Sequence, residues 1–336
     1  MAIEKMMNTV RLKATERCQF ACKFCHGEGN IDAKELEWND NLANALLKLK
    51  EFFGFDSVLY GGGEPTLNPN LDSITKNIKS LGFEVSTTTN GQFSEKTLKR
   101  LMEGGLREYN FSIHTLDPEK FLEIQSGRGK LRPEISNAAT EEQNPNKQSW
   151  TNIEQAEVAI EKQLCNILKT RELGGEVSIN TVLTGKENIE DVCRMIDWAK
   201  KNGIPLRILQ NVNDAKRSEN ALNSLVSKIG AQKGEVKAIK GSSSLTTYYF
   251  LDKYRFSYKH YRDFKLKELC EDCDKKQNCQ ENFAAIRLQE NADGKFYVVL
   301  CLDRRDKKPI MSLDEFFESS IAKEIKSHLT QENQYA

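Results

Sequence analysis

From residue 9 to about residue 210 the chain alternates two kinds of segment. Short runs rich in β-branched and aromatic residues, at 9–14, 57–60, 83–88, 109–113, 177–183 and 206–209, read as strands. Between them, 39–53, 94–103 and 189–202 carry apolar residues at helical spacing. The last closes on Asn202-Gly203 and then Pro205, a stop signal. Alternation of this kind builds a parallel sheet with crossover helices, an α/β fold.

One stretch breaks the rhythm. Residues 126–152 are polar, contain Gly127, Gly129, Pro133 and Pro145, and offer few large apolar anchors. They read as a mobile or disordered insert, with a substrate lid as the other reading. After about residue 215 a helix-like stretch, a Ser-rich turn at 241–244 and aromatic strands follow. The expected organisation is a core at 1–214, with the insert at about 126–152, and a smaller α+β region at 215–336. There are no internal repeats.

A chain of 336 residues with 38% hydrophobic content can bury one large core plus a satellite. Lys plus Arg and Asp plus Glu each total 49, so no global field draws the protein to nucleic acid or to an anionic membrane. No apolar run reaches membrane-spanning length and residues 1–8 lack a secretory signal, so the expected compartment is the cytoplasm. Reducing conditions there oppose disulfides and turn attention to metal ligation by the nine cysteines. Cys165 and Cys193 stand alone in helical patterns and read as small buried apolar residues. The other seven fall in two groups.

In the first group Cys18, Cys22 and Cys25 form C-x3-C-x2-C directly after the first strand. Three thiolates there can hold three irons of a 4Fe–4S cluster and leave the fourth open, whereas structural zinc prefers four protein ligands. Gly61-Gly62-Gly63-Glu64-Pro65 follows the second strand. Ser86-Thr87-Thr88-Thr89-Asn90-Gly91 ends the third, and Phe111-Ser112-Ile113-His114-Thr115 ends the fourth. Ser178-Ile179-Asn180-Thr181 and Leu206-Arg207-Ile208 complete the series. Each piece alone is an ordinary turn or strand exit. Five in order at strand C-termini, where α/β folds place ligands, are not.

On these motifs the chain resembles the radical S-adenosylmethionine (SAM) superfamily. The resemblance implies a partial (β/α)6 barrel and a 4Fe–4S cluster on Cys18, Cys22 and Cys25 whose open iron is chelated by SAM. It implies SAM contacts from Phe24, Gly62, Gly63, Glu64, Ser112 and Asn180. Within the superfamily, residues 9–302 resemble the GTP cyclase family of molybdenum-cofactor biosynthesis, which carries a second, substrate-binding cluster in its C-terminal part. That implies substrate contacts from Arg11, Thr88 and Arg287. Three other basic positions of that family are lost, at Leu59, Ser178 and Ala285, and its Gly-Gly terminus is absent where this chain ends at Ala336. A triphosphate is held by converging positive charge, so the expected substrate is not GTP.

The second group, Cys270-x2-Cys273-x5-Cys279, is followed by Cys301. Strands at 283–288 and 295–300 flank Asp293-Gly294, a hairpin turn signal, and that hairpin returns Cys301 toward the others. A structural zinc site is the rival; beside such a core the reading is an auxiliary iron–sulfur cluster, which the resemblance implies is 4Fe–4S. The spacing is also similar to the SPASM and twitch extensions of radical SAM enzymes. Lys253-Tyr254-Arg255-Phe256-Ser257-Tyr258-Lys259-His260-Tyr261-Arg262 interleaves basic and aromatic groups, as an anion- or base-binding surface does and as an ordinary half-exposed strand does. His114 and His260 read as structural histidines or substrate contacts, and His26 directly follows Cys25.

The functional expectation is an enzyme that cleaves SAM reductively to a 5′-deoxyadenosyl radical and abstracts hydrogen from a small, nucleotide-like biosynthetic substrate. A low-potential donor such as a flavodoxin or ferredoxin would supply the electron. Modification of a ribosomally made peptide is the alternative, disfavoured by the lack of a leader-binding segment before the first strand; an iron–sulfur electron carrier is the non-enzyme alternative.

Overall fold

The computed structural model describes residues 2–25, 34–125, 150–302 and 310–330. His26, most of the 126–152 insert and the last six residues lie outside the described residues. Six parallel strands form the centre: β2 (Thr9–Thr15), β3 (Ser57–Gly62), β4 (Glu84–Thr89), β5 (Glu108–Ser112), β6 (Glu176–Leu183) and β7 (Leu206–Gln210). Their crossovers carry α1 (Asp40–Phe53), α2 (Leu71–Ser80), α3 (Glu95–Glu103), α4 (Pro118–Ile124), α5 (Ile153–Glu172) and α6 (Ile189–Asn202). Local chemistry sets the helix ends. Asn39 and Ser94 accept hydrogen bonds from Leu42 and Thr97 N–H, and Gly203 closes α6 in the left-handed conformation at φ 61°.

The same sheet continues past residue 214 at both edges. Beyond β7 come β10 (Tyr254–Tyr261), β9 (Ser244–Leu251), β8 (Gln232–Lys240) and β1 (Ala2–Met6); beyond β2 come β11 (Ile286–Glu290), β12 (Phe296–Val299) and β13 (Ile310–Ser312). Helices α7 (Ala215–Ile229), α8 (Lys267–Cys270), α9 (Leu313–Glu318) and α10 (Ser320–Thr330) complete the described elements. The sheet is open, as a partial barrel is, and it curls. Residues of β7 and β10 line one cavity together with residues of β2 and β3.

Strand alternation sorts the side chains onto two faces. Val10, Leu12, Val58, Tyr60, Val85, Phe111, Ile179 and Ile208 are buried under the helices in the main core. The intervening positions, Arg11, Ser86, Thr88, Ser112, Ser178, Arg207 and Lys259, are half-buried and polar. They face the inside of the curl, so the apolar face folds the protein and the polar face is left for ligand.

Four elements depart from the sequence expectation. Strand β1 precedes the first core strand and pairs in parallel with β8, Ile3 opposite Ala238. Helices α2 and α4 are short. Helix α5, of 20 residues, buries Gln163, Asn166 and Thr170 on the face that also buries Ala159, Ile160 and Ile167, which blurs its apolar stripe. Cys165 is exposed on this helix rather than buried, and Cys193 is half-buried against the core.

Candidate active site

The loop that carries the first cysteine group leaves β2 and is fixed from two sides. The C-terminal end of α4 accepts from it: Ala21 N–H bonds the Gln125 carbonyl (3.1 Å) and Lys23 N–H the Ile124 carbonyl (3.0 Å). Phe20 is buried edge-on against Phe121 and Trp150, with ring centroids 5.4 and 4.8 Å away. Trp150, at the end of the insert, thereby anchors a second apolar cluster against which Cys18 and Cys22 pack. The Cys18 sulfur accepts from Phe20 N–H (3.4 Å) and lies 3.9 Å from the Asn90 amide. Burial, then Glu64, push the Cys18 thiol up to about 12; burial and the neighbouring Cys25 and Cys18 raise Cys22.

These residues fit an iron–sulfur cluster by the chemistry of the donor set. Cys25 stands close enough to raise Cys18, and Cys25 and Cys18 to raise Cys22, and a bound metal cation would stabilise the thiolate form of all three. Among the described residues no three His, Cys, Asp or Glu side chains converge as the ligands of one metal ion.

The glycine run presses directly on this loop. A Cβ on Gly63 would meet the Arg17 carbonyl oxygen at 2.2 Å, and one on Gly62, at φ 108°, the Thr15 carbonyl oxygen at 2.5 Å. Gly63 and Glu64 N–H donate to the Thr15 and Arg17 carbonyls at 2.8 and 2.7 Å. Glu64 is fully buried. Its Oε1 accepts from Thr66 N–H (3.2 Å), Thr66 Oγ1 (2.7 Å) and Thr89 Oγ1 (2.6 Å), and its Oε2 from Asn90 N–H (2.6 Å). This carboxylate ties the exit of β3 to the exit of β4.

Around the strand ends, Ser112 of β5 stands opposite Asn180 of β6, and Asn180 opposite Arg207 of β7. The Arg207 guanidinium donates to Asn180 Oδ1 at 3.3 Å. Thr88 of β4 is half-buried opposite Asn110. Phe24 packs edge-on against His114, centroids 4.4 Å apart. His114 Nδ1 accepts from Val182 N–H (3.2 Å), and burial lowers its pKa to about 3, so it is a neutral brace. His260 lies 2.9 Å from Thr247 Oγ1 and is lowered by burial to about 4. Sequence reading passed over Gln163 and Asn166 of α5, whose amides bond the Asn90 and Gly91 carbonyls at 2.7 and 2.8 Å. Polar residues buried on a helix beside strand exits were the signal available.

Inside the curl lies a cavity of about 730 Å³, toward the N-terminal ends of β2 and β7. Lys5, Arg11, Arg207, Arg255 and Lys259 line it, and among the described residues no Asp or Glu does. Leu59 and Ala285 line it too. Burial, then Arg11, Arg207, Lys5 and Arg287, push the Lys259 ammonium down to about 7.

The hairpin forms as its turn signal implies and carries Cys301 back to Glu281, two residues after Cys279. Strand β12 runs antiparallel to β11, Val299 opposite Arg287, and returns Cys301 to the start of β11. Glu281 Oε2 accepts from the Leu302 N–H (2.8 Å) and the Cys301 thiol (3.4 Å), while Cys279 sulfur accepts from Asn282 N–H (3.3 Å). Burial raises Cys270, followed by smaller influences that include Cys279 and Cys273. Arg287 is buried and paired with Glu281 Oε1 at 3.1 Å; its Nε and Nη1 have no hydrogen-bond partner among the described residues.

Thiols after the first strand, a glycine run packed on their loop and a polar lumen define a SAM-type radical site. Residues 12–199, more than half of the chain, match the radical SAM superfamily. The chain belongs to that superfamily, a class of enzymes built around a 4Fe–4S cluster and SAM. Over 209 residues it is 31% identical to a probable GTP 3′,8-cyclase of Methanococcus aeolicus, covering 61% of this chain and 59% of that protein. A probable GTP 3′,8-cyclase of Sulfolobus acidocaldarius is 36% identical over 119 residues, 35% of this chain and 38% of that one. The fold is shared with Streptococcus suis SuiB bound to the precursor peptide SuiA (TM-score 0.54, 15% identity, 96% of this chain and 67% of that one). It is shared also with anSMEcpe bound to AdoMet (TM-score 0.53, 15% identity, 94% and 82%). Among the described residues no helix is long and apolar enough to cross a membrane.

Proposed function

We propose that the protein is a radical SAM enzyme acting on a small, nucleotide-like substrate other than GTP. The observation that carries this is the polar lumen itself, with three thiols at the strand C-termini and a cavity lined by cations toward the strand N-termini. When bound on Cys18, Cys22 and Cys25, the cluster supplies one electron that splits SAM into methionine and a 5′-deoxyadenosyl radical, the agent of hydrogen abstraction.

The chain's own residues position and exclude. The glycine run offers backbone carbonyls to an ammonium group, Ser112 and Asn180 offer hydrogen bonds to a ribose, and Phe24 against His114 closes the loop side to water. Thr88 and Arg11 present polar groups to the substrate. Cys270, Cys273, Cys279 and Cys301 hold an auxiliary cluster in this reading, supported by the Glu281 contacts that draw Cys301 to the loop of Cys279. The two partnerless nitrogens of Arg287 support a role as donor to substrate.

Anaerobic incubation with SAM and dithionite tests the reading: 5′-deoxyadenosine should form, and the Cys18, Cys22 and Cys25→Ala triple variant should form none and lose about half the iron if both groups hold 4Fe–4S clusters. Undiminished cleavage by the variant would refute the assignment. Loss of the basic groups at Leu59, Ser178 and Ala285 also predicts no efficient conversion of GTP to its cyclic product by the reconstituted enzyme.

A further inference from the structure

We propose that Gln125, which directly follows α4, is a positioning residue of the first thiol group, its buried amide N–H donating to the Cys22 sulfur and raising the reduction potential of the cluster held there. The proposal rests on the reading above that Cys18, Cys22 and Cys25 hold that cluster.

The starting point is an unmet hydrogen bond. Gln125 is fully buried, and among the described residues neither its Nε2 nor its Oε1 has a hydrogen-bond partner. A buried amide in this state is costly, and a side chain that only filled space would be better replaced by an apolar one of its shape. Other buried amides near the site show what bracing looks like: the Gln163 and Asn166 nitrogens of α5 bond the Asn90 and Gly91 carbonyls at 2.7 and 2.8 Å. Gln125 makes no such bond.

Backbone geometry fixes where the amide is held. Gln125 N–H donates to the Phe121 carbonyl (2.9 Å), the Gln125 carbonyl accepts from Ala21 N–H (3.1 Å), and the Ile124 carbonyl accepts from Lys23 N–H (3.0 Å). The end of α4 therefore grips the residues on both sides of Cys22. Cys22 packs there against the apolar cluster of Phe20, Phe121 and Trp150. Burial, then Cys25 and Cys18, raise the Cys22 thiol; its own backbone and then the Gln125 side chain oppose them. The Cys18 sulfur is served by other donors, Phe20 N–H at 3.4 Å and the Asn90 amide at 3.9 Å.

Which end of the amide meets the sulfur follows from chemistry. A metal-bound thiolate has lone pairs and no proton, so it accepts and Nε2 donates. Such a bond strengthens as the sulfur gains negative charge. An electron added to the cluster raises that charge, so the bond favours the reduced form over the oxidised one and lifts the potential. Apolar surroundings enlarge the effect.

The test is an anaerobic redox titration of the reconstituted full chain, followed by electron paramagnetic resonance. The signal read is the one that changes when SAM is added, which separates the first cluster from the second thiol group. Gln125→Met keeps the length of the side chain and removes the donor. At a fixed applied potential its ratio of reduced to oxidised cluster should fall about tenfold, a midpoint about 59 mV lower for a one-electron couple, with iron and sulfide content unchanged. Gln125→Asn, whose amide is drawn back by one methylene, should also lower the midpoint and guards against a first variant that takes up no iron. A midpoint at or above wild type in the Met variant would overturn the proposal, as would the same result in the Asn variant where the Met variant takes up no iron. Loss of iron from both variants would overturn it too, since Gln125 would then hold the loop and not tune the cluster. Iron uptake and SAM cleavage by the wild type are read separately: their failure would remove the cluster reading, whereas an unmoved midpoint with intact cleavage would remove only the role of Gln125.

Discussion

Glu64 gives the sharpest test of how the site is built. Its buried carboxylate is the acceptor for four donors, two of them backbone N–H groups of Thr66 and Asn90 that the chain holds in place. In Glu64→Ala the Thr66 and Thr89 hydroxyls can turn elsewhere, but the two N–H groups cannot. Each buried donor left without an acceptor costs about 1–3 kcal/mol, and removing a buried charge returns part of its dehydration cost. The net loss should be about 2–4 kcal/mol. Glu64→Gln keeps the shape but points an amide N–H₂ at donors on one side, and should lose about 1–3 kcal/mol. Urea unfolding under anaerobic conditions measures both.

The pH dependence carries a sign of its own. Burial raises the Glu64 carboxyl above its ordinary value against the opposing pull of its hydrogen bonds. The native state therefore keeps a proton where the unfolded chain, titrating near 4.5, has lost it. Stability from this group is full below that value and falls as pH rises through the native one, and the Gln variant should lack the fall. An Ala variant within about 0.5 kcal/mol of wild type, or more stable than the Gln variant, would refute the bracing role.

Gly63→Ala should displace the cysteine loop, because its Cβ would meet the Arg17 carbonyl oxygen at 2.2 Å; iron and sulfide analysis should show the first cluster depleted while far-ultraviolet circular dichroism is unchanged. Asp191, buried and bonded to Lys120 (2.6 Å), Arg194 (2.7 Å) and Thr115 (2.9 Å), ties α6 to the exit of β5. Asp191→Ala should cost about 1–3 kcal/mol in denaturant unfolding, because the Lys120 and Arg194 charges it leaves are partly solvated. Arg287→Ala should impair turnover while leaving iron and sulfide content intact, since a guanidinium is no iron ligand, and should lower stability by stranding Glu281.

The six core strands were legible because each carries buried apolar residues on alternate positions, and the helices between them carry an apolar stripe. Helix α5 was not, since its packed face includes Gln163, Asn166 and Thr170, which bond backbone rather than fill a core. Strand β1 was hidden for another reason. Five residues at the chain's start hold no alternation strong enough to read, and only pairing with β8 defines them. The Asp293-Gly294 signal was legible as a hairpin, which the structure forms between β11 and β12. Glu64 was read as a ligand contact; two of its four bonds come from the neighbouring Thr66, and the other two from Thr89 and Asn90 at the exit of β4, which local sequence cannot bring to it. The 253–262 pattern allowed two readings; residues 254–261 form strand β10, with Phe256 and Tyr258 packed in the core and Ser257 and Lys259 lining the cavity.

That partition bears on substrate size. Arg11 lies four residues before Thr15, where β2 ends and the cysteine loop begins, a span of about 13 Å at strand rise. The row Ser112, Asn180, Arg207, Ser257 crosses the sheet in register between the two ends, with Asn180 bonded to Arg207 by its side chain and to Ile113 N–H by its carbonyl. A substrate seated in the cavity must therefore extend most of the lumen's depth for its reacting carbon to reach the strand C-termini. An anion of only a few atoms is too short to span it. A substrate as long as a nucleoside has that length and hydrogen-bonding groups along it, so the size of the lumen is compatible with the proposed small substrate.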